Sequence, residues 1–458
     1  MKKIGKLKTY NSKQIKDSYV SIGFECLDRD LFKAEKCYKP LGLTGVKYAR
    51  CQTGWCKCEK EKGVYDFSWL DDVVDNLLAN GVTPWFNVGY GNPIYMDDIK
   101  GPAAVGCVPI YYGEETEQAW YNYVKALTNH FKDRITHYEI WNEADIRSFW
   151  YPKTPNGAKL AYLVHQTAKI IKDVQPDAKT GTCVSQLRNF KYIDKFLSSV
   201  KSEYLDFFAV HSYSTVPEMC FKEGIAFVKE TLIKYNHTNT EVWQGEGGYP
   251  SWAYEGHHMI PKGCNDERPQ AIWMLRRYFL DVSIGLKRSS FFQMADMWEK
   301  PYEKATEILK KPAAHGILNG ITYTPKMSYD TITNLSAIFQ TDVKPSRQYI
   351  QVRDIDNATS IDLVATQTFV YEKNNMPIFA YYLPSPIELH NPTRSSLIRI
   401  AYDLKNPVII DPFTLEVFLL DPEDCDIQGN RVLFDYTLPI KDYPIILTEK
   451  DVFEIIEE

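Results

Sequence analysis

Two glutamates stand where a strand-like run gives way to a loop. Glu143 closes His137-Tyr138-Glu139-Ile140-Trp141-Asn142-Glu143, and Glu246 sits in Glu241-Val242-Trp243-Gln244-Gly245-Glu246-Gly247-Gly248. Each run alternates with the period of a strand and then breaks. Carboxyls presented on two such ends can flank one glycosidic bond, one as general acid and the other as nucleophile. A carboxyl kept protonated by a nearby negative charge suits the acid, and Glu143, last before its loop, is the candidate. Gly245, Gly247 and Gly248 let the chain turn around Glu246 and leave open approach for a nucleophile. The plainer reading is a solvated turn glutamate. It loses weight for Glu143 beside Trp141-Asn142 and for Glu246 between its glycines.

These carboxyls need a scaffold. Residues 17–325 alternate short apolar runs with amphipathic helices. Strands are expected at 20–25, 46–52, 83–89, 135–142, 179–185, 207–213, 241–246 and 289–294. Between them, Leu70, Val73, Val74, Leu77 and Leu78 form one helical face. Trp120, Tyr123, Val124, Leu127 and Phe131 form another, and Leu160, Leu163, Val164, Ala168 and Ile171 a third. Eight strand–helix units in one run predict an α/β protein with a (β/α)8 TIM barrel, whose active site lies at the C-terminal strand ends. A doubly wound open sheet is the competitor, but its first loop, 25–30, lacks the Gly-rich phosphate fingerprint.

Residues 345–458 change character. Short β-rich runs at 361–366, 377–382, 397–402, 408–410, 417–420, 432–436 and 445–447 are separated by turn residues, which predicts an antiparallel β-sandwich. The expected division is a catalytic barrel over 17–340 and a sandwich over 341–458, with 1–16 lending the sandwich a strand.

Further candidates fall at the same strand ends. Arg50 closes the second strand, where a guanidinium would either keep a carboxylate ionised or form a salt bridge inside the barrel with Glu139. His211 and Tyr213 close the sixth, and the Tyr213 phenol could orient Glu246. Asn87, Tyr90, Asn92 and Tyr95 lie at or just past the third, Trp55 past the second, and Trp298 past the eighth. These could supply polar and stacking contacts to a sugar, and packing explains any one of them equally well.

At these residues the chain resembles clan A of the glycoside hydrolases. Trp141-Asn142-Glu143 is similar to the clan's strand-four Asn-Glu, Glu246 to its strand-seven glutamate, His211-Ser212-Tyr213 to its strand-six His-x-Tyr, and Arg50 to its strand-two arginine. The chain most resembles family 39, of β-xylosidase and α-L-iduronidase type, except that Gly245-Glu246 stands where that family usually has Thr-Glu. The resemblance implies Glu143 as acid/base, Glu246 as nucleophile and Asn142 as partner of the sugar 2-hydroxyl. It implies a retaining glycosidase with a carbohydrate substrate, needing no metal or organic cofactor.

Composition narrows the alternatives. Apolar content of 44% and charged content of 24% are those of an ordinary globular protein. A net charge of -6 gives no footprint for nucleic acid. Aromatic content of 14% provides faces that stack on sugar rings as readily as it fills a core. The basic N-terminus lacks an apolar h-region, so neither a signal peptide nor a membrane association is expected and a cytoplasmic location is favoured, although a trimmed signal would look the same. The 10 cysteines are scattered, which favours reduced buried thiols over a disulfide framework, and the dispersed His residues offer no metal site. An inert carbohydrate-binding protein is disfavoured by two intact glutamates, a transglycosylase would use the same pair, and a homo-oligomer is compatible with all of this. The long stretches 92–113 and 249–266 predict a walled pocket, hence exo action on short oligosaccharides, with a β-xyloside the first choice.

Overall fold

Eight runs too short and too apolar for isolated strands are satisfied by pairing in parallel with both faces covered. The computed structural model describes residues 1–99, 101–219, 221–252, 266–297, 313–386, 393–421, 425–427 and 432–457. After β1 (Lys2–Leu7), the strands β2 (Val20–Gly23), β3 (Tyr48–Gln52), β4 (Thr83–Val88), β5 (His137–Ile140), β6 (Lys179–Val184), β7 (Phe207–His211), β8 (Glu241–Gly247) and β9 (Ser289–Phe291) form a closed barrel. Closure is made by β2 against β9, with Val20, Ser21 and Ile22 opposite Ser289, Ser290 and Phe291. All eight expected barrel strands are present.

Helices cover the outside. The helix Ser68–Ala79 buries Leu70, Val73, Val74 and Leu77, whereas Leu78 faces outward. Glu114–Phe131 and Gly157–Val174 bury the faces expected of them, and Asn156 caps the latter by accepting from Ala158 and Lys159 N–H groups.

The remaining strands are β10 (Lys344–Pro345), β11 (Ile350–Ile355), β12 (Gln367–Lys373), β13 (Met376–Tyr382), β14 (Arg394–Ile400), β15 (Pro407–Ile410), β16 (Glu416–Leu419), β17 (Cys425–Ile427), β18 (Phe434–Ile440), β19 (Ile445–Glu449) and β20 (Ile455–Ile456). One antiparallel sheet runs β10-β12-β13-β19-β15-β16-β1-β20 and the other β11-β14-β18-β17. The α/β fold with a TIM barrel and an antiparallel sandwich is the architecture expected. Residues 1–7 enter the larger sheet, with β1 antiparallel to β16 and β20. One segment departs from expectation. The run 361–366 is not a strand but lies in the helix Ser360–Ala365, because Thr359 and Asp362 form a capping box. Its Ile361 and Val364 point to solvent, so no core holds the run extended. The more polar β11 was not legible as a strand.

Sandwich and barrel are joined by buried polar contacts. Arg268 donates to both carboxylate oxygens of Asp442 (2.7 and 2.8 Å), and Asn334 donates to the carbonyls of Pro412 and Phe413 (3.1 and 2.9 Å).

The N-terminal end of the barrel is plugged by Trp85, Cys183, Phe207, Ala209 and Trp243, with the Phe207 and Trp243 rings stacked 4.0 Å apart. Gly181 makes this plug fit. A Cβ on it would come within 2.3 Å of the Phe207 carbonyl oxygen and 2.5 Å of its ring. Gly181→Ala is therefore expected to destabilise the protein by about 1–3 kcal/mol through overpacking, measured as a lower denaturation midpoint in urea with an unchanged slope.

Candidate active site

Above the aromatic plug, the strand ends of β3, β5, β7 and β8 converge on one buried guanidinium. Arg50 donates through Nη1 to Glu25 Oε2 (2.6 Å) and Glu246 Oε2 (3.1 Å). Its Nη2 contacts Glu139 Oε1 and Asn142 Oδ1 (2.8 Å), and its Nε reaches both Glu139 oxygens (3.2 and 3.3 Å). Asn87 Nδ2 and Trp85 Nε1 also approach Glu139, at 3.1 and 3.5 Å. Arg50 is thus the internal partner of Glu139 and a direct partner of Glu246 at once. The two readings of this arginine both hold.

Regular strands would not bring the two glutamates together. In β8 alternation is broken at Gly245: Val210 pairs with Gln244, but the next residue, His211, pairs with Glu246. This one-residue bulge puts both Trp243 and Glu246 inside the barrel, where strict alternation would give Val242, Gln244 and Glu246 a common face. Space there is tight, since a Cβ on Gly245 would lie 3.0 Å from His211 Nε2 and from Ala209 Cβ. After β5, Trp141 (φ 66°) and Glu143 (φ 44°) adopt left-handed backbone. Such conformations are costly for residues with side chains and persist where surroundings fix them. Here Trp141 N–H donates to Val88 O (3.0 Å), Asn87 Nδ2 donates to Trp141 O (2.8 Å), and Glu143 N–H contacts Cys183 Sγ (3.3 Å). The twist turns Asn142 inward toward Arg50. It sends Trp141 outward among Tyr90, Trp120 and Trp150, although strict alternation would place it on one face with Glu139 and Glu143.

The carboxyls meet around His211, whose Nδ1 lies 3.0 Å from Glu143 Oε1 and 3.4 Å from Glu246 Oε2. Oxygens of Glu143 and Glu246 and a nitrogen of His211 all fall within 4.8 Å of one another. Tyr213 Oη donates to Glu246 Oε1 at 2.5 Å. The side chains of Glu143 and Glu246 remain 9% and 13% exposed, whereas those of Arg50, Glu139 and His211 are sealed.

The environments differ. Burial pushes Glu143 up to about 7, with Glu139 adding to the rise and Arg50 opposing it. Burial pushes Glu25 well above the carboxyl range despite Arg50. Glu139 is equally buried, but the Arg50 guanidinium outweighs burial and lowers it. Burial lowers His211 to about 4, so at neutral pH it is uncharged. Glu143, His211 and Glu246 have metal-ligand chemistry, and Arg50 already places a positive charge against Glu246.

The structure therefore gathers Glu143, Glu246, Asn142, Arg50, His211 and Tyr213, with Asn87 one step behind. It does not gather Trp55, which is fully buried and stacked between Tyr95 and Tyr123 (5.6 and 5.8 Å). Asn92 is spent on the Glu59 carbonyl (2.8 Å) and its own turn. Tyr90 is buried, accepting from Gln52 (3.0 Å) and stacked on Phe149 (5.8 Å). These three are loop and core packing, because the chain beyond β3 and β4 folds back on the helices. Trp298 lies outside the described residues. Glu25 and Cys183 are the site members that the sequence did not single out, although Cys183 shares the inward parity of its strand; Glu139 was expected only as a salt-bridge partner of Arg50, the pair that the structure contains.

The closed parallel barrel with two glutamates at its strand ends is similar to the glycoside hydrolases of clan A. Residues 35–236 match the model of the glycosyl hydrolases family 39. A β-xylosidase from Geobacillus stearothermophilus is 25% identical over 169 residues, 34% of this chain and 32% of that protein, so the aligned stretch spans about a third of the relative's length. A family 39 glycoside hydrolase from Bacteroides cellulosilyticus has the same fold with a TM-score of 0.65, at 14% identity over 94% of this chain and 81% of that one. A family 39 β-xylosidase from Caulobacter crescentus superimposes with a TM-score of 0.56, at 16% identity over 96% and 98%. The resemblance read from the motifs, to clan A and within it to family 39, is matched by these similarities. Among the described residues no helix is long and apolar enough to cross a membrane.

Removing Arg50 would leave buried carboxylates without their counter-charge. Arg50→Leu is expected to cost about 3–5 kcal/mol at neutral pH. Because Arg50 lowers Glu139, the stability it confers is present above the ordinary carboxyl range and is lost as pH falls below it. Chemical denaturation at neutral and acid pH should show the gap between wild type and variant narrowing in acid.

Proposed function

We propose that the protein is a retaining glycoside hydrolase that removes single sugars from short oligosaccharides or glycosides, β-xylosides first among them. The observation that carries this reading is the approach of Glu143 and Glu246, with oxygens within 4.8 Å. Retaining enzymes hold their carboxyls about 5–5.5 Å apart, whereas inverting enzymes need about 6.5–9.5 Å to admit a water. The β-xyloside preference is supported by the β-xylosidases among the similar proteins.

In the proposed reaction Glu246, oriented by Tyr213 and Arg50, attacks the anomeric carbon. Glu143, raised by burial to about 7 and so partly protonated at neutral pH, gives its proton to the leaving oxygen. The ionised Glu143 then takes a proton from water, which releases the glycosyl-enzyme. Neutral His211 bridges the two carboxyls without adding a charge that would lower Glu143. Asn142, whose carbonyl oxygen is taken by Arg50, offers its amide nitrogen to the 2-hydroxyl of the sugar. Residues 17–340 form the catalytic unit in this reading. Residues 341–458 with 1–16 form a sandwich that buttresses it through contacts such as Arg268–Asp442.

A panel of aryl glycosides tests the reading. Glu143→Ala is expected to lose about 10²–10⁴-fold in turnover. Glu246→Ala should be inactive until azide restores it as a glycosyl azide of the opposite anomer. Full activity in both variants would refute the assignment. The acid role also fixes a pH dependence. In the wild type kcat/KM should fall as pH rises through about 7, where Glu143 loses its proton. With a 2,4-dinitrophenyl leaving group, which needs no proton, Glu143→Gln should lack that limb.

A further inference from the structure

The seam where the barrel closes carries polar groups that the reaction above leaves unused. Glu25 lies just past β2 and Gln293 just past β9, the strands whose pairing closes the barrel. Both side chains are buried. Gly23 separates them: a Cβ on it would fall 2.9 Å from Glu25 Oε1 and 3.3 Å from Gln293 Cβ. The Gln293 backbone is pinned, its N–H donating to His315 O (3.1 Å) and its carbonyl accepting from Ile317 N–H (3.0 Å). Among the described residues, Glu25 Oε1 and both Gln293 Nε2 and Oε1 are buried at this seam without a hydrogen-bond partner, as is Ser290 Oγ on β9. Buried polar atoms are nearly always paired, and a cluster that is not calls for a missing partner.

That partner would sit beside the nucleophile. One nitrogen, Arg50 Nη1, bonds Glu25 Oε2 and Glu246 Oε2 together. We propose that Glu25 and Gln293 recognise hydroxyl groups of the sugar ring attacked by Glu246, and that this ring is a neutral pentose or hexose rather than a uronic acid. The proposal rests on the glycosidase reading given above and adds its ring specificity.

The chemistry of the two side chains matches hydroxyls. Gln293 presents a donor and an acceptor on one amide, the pattern that neighbouring hydroxyls complete. Burial raises Glu25, which favours the protonated carboxyl with an O–H to donate. Among the described residues bonded to Glu246, Arg50 is the one cation, and its nitrogens are already shared among Glu25, Glu139, Glu246 and Asn142. Glu139 and Glu246 would repel a sugar carboxylate.

The test uses the full chain with 4-nitrophenyl β-D-xyloside, β-D-glucoside, β-D-galactoside, α-L-arabinofuranoside and β-D-glucuronide, and the monodeoxy analogues of the best of them. Glu25→Gln is close to isosteric, and Gln293→Ala provides a second variant should the first fold poorly. Each should lower kcat/KM by about 10- to 100-fold. At least one monodeoxy analogue should lose a similar factor on wild type and lose nothing further on the matching variant. A merely structural role would lower the melting temperature and leave these ratios unchanged, which overturns the proposal. So does a glucuronide that outperforms every neutral glycoside. Azide rescue of Glu246→Ala on the same substrate reports separately on the underlying reaction. Rescue together with wild-type behaviour of both seam variants overturns this inference alone, whereas a wild type inert on the whole panel overturns both.

Discussion

One guanidinium, buried in the barrel and shared by three carboxyls, is the constraint around which the site is built. Arg50 contacts Glu25, Glu139 and Glu246, and none of these has a second cation beside it among the described residues. A single positive charge cannot compensate three negative ones in a low-dielectric interior. Some carboxyl must therefore hold a proton. Burial selects Glu25 and, farther from Arg50, Glu143. The general acid of the proposed reaction thus owes its raised pKa chiefly to burial in the barrel, with the negative charge of Glu139 adding to it. The plug of Trp85, Phe207 and Trp243 below keeps that interior closed from the N-terminal end.

The backbone makes the convergence possible by departing from regularity at two strand ends. An unbroken β8 would present Trp243 or Glu246 to the interior, not both. The bulge at Gly245 lets one strand supply the floor and the nucleophile. After β5, left-handed residues at 141 and 143 separate Trp141 from its neighbours, giving an aromatic anchor outside and Asn142 with Glu143 inside. Both irregularities sit on the rigid rim of a closed sheet, where hydrogen bonds to adjacent strands hold them.

The sequence made the scaffold legible because period-two and period-3.6 patterns are local. All eight barrel strands and the sandwich could be read from them. Glu143, Glu246, Arg50, His211 and Tyr213 were legible as strand-end residues. What could not be read were facts set by neighbours distant in sequence. Trp55 and Tyr90 have the composition of sugar-stacking residues, but the chain packs them against Tyr123 and Phe149. Glu25 is an ordinary glutamate until Arg50 and the β2–β9 seam surround it. The run 361–366 has strand-like residues, yet a two-residue capping box decides for a helix.

The central claim is that Glu246 becomes covalently bonded to the sugar during turnover. It is tested most directly by incubating the wild type with a 2-deoxy-2-fluoro-xylosyl fluoride and mapping the added mass by peptide mass spectrometry. A time-dependent adduct on the peptide containing Glu246, released when an acceptor is supplied, is the predicted result. A xyloside hydrolysed with inversion and no adduct, or an adduct on a different residue, would contradict it.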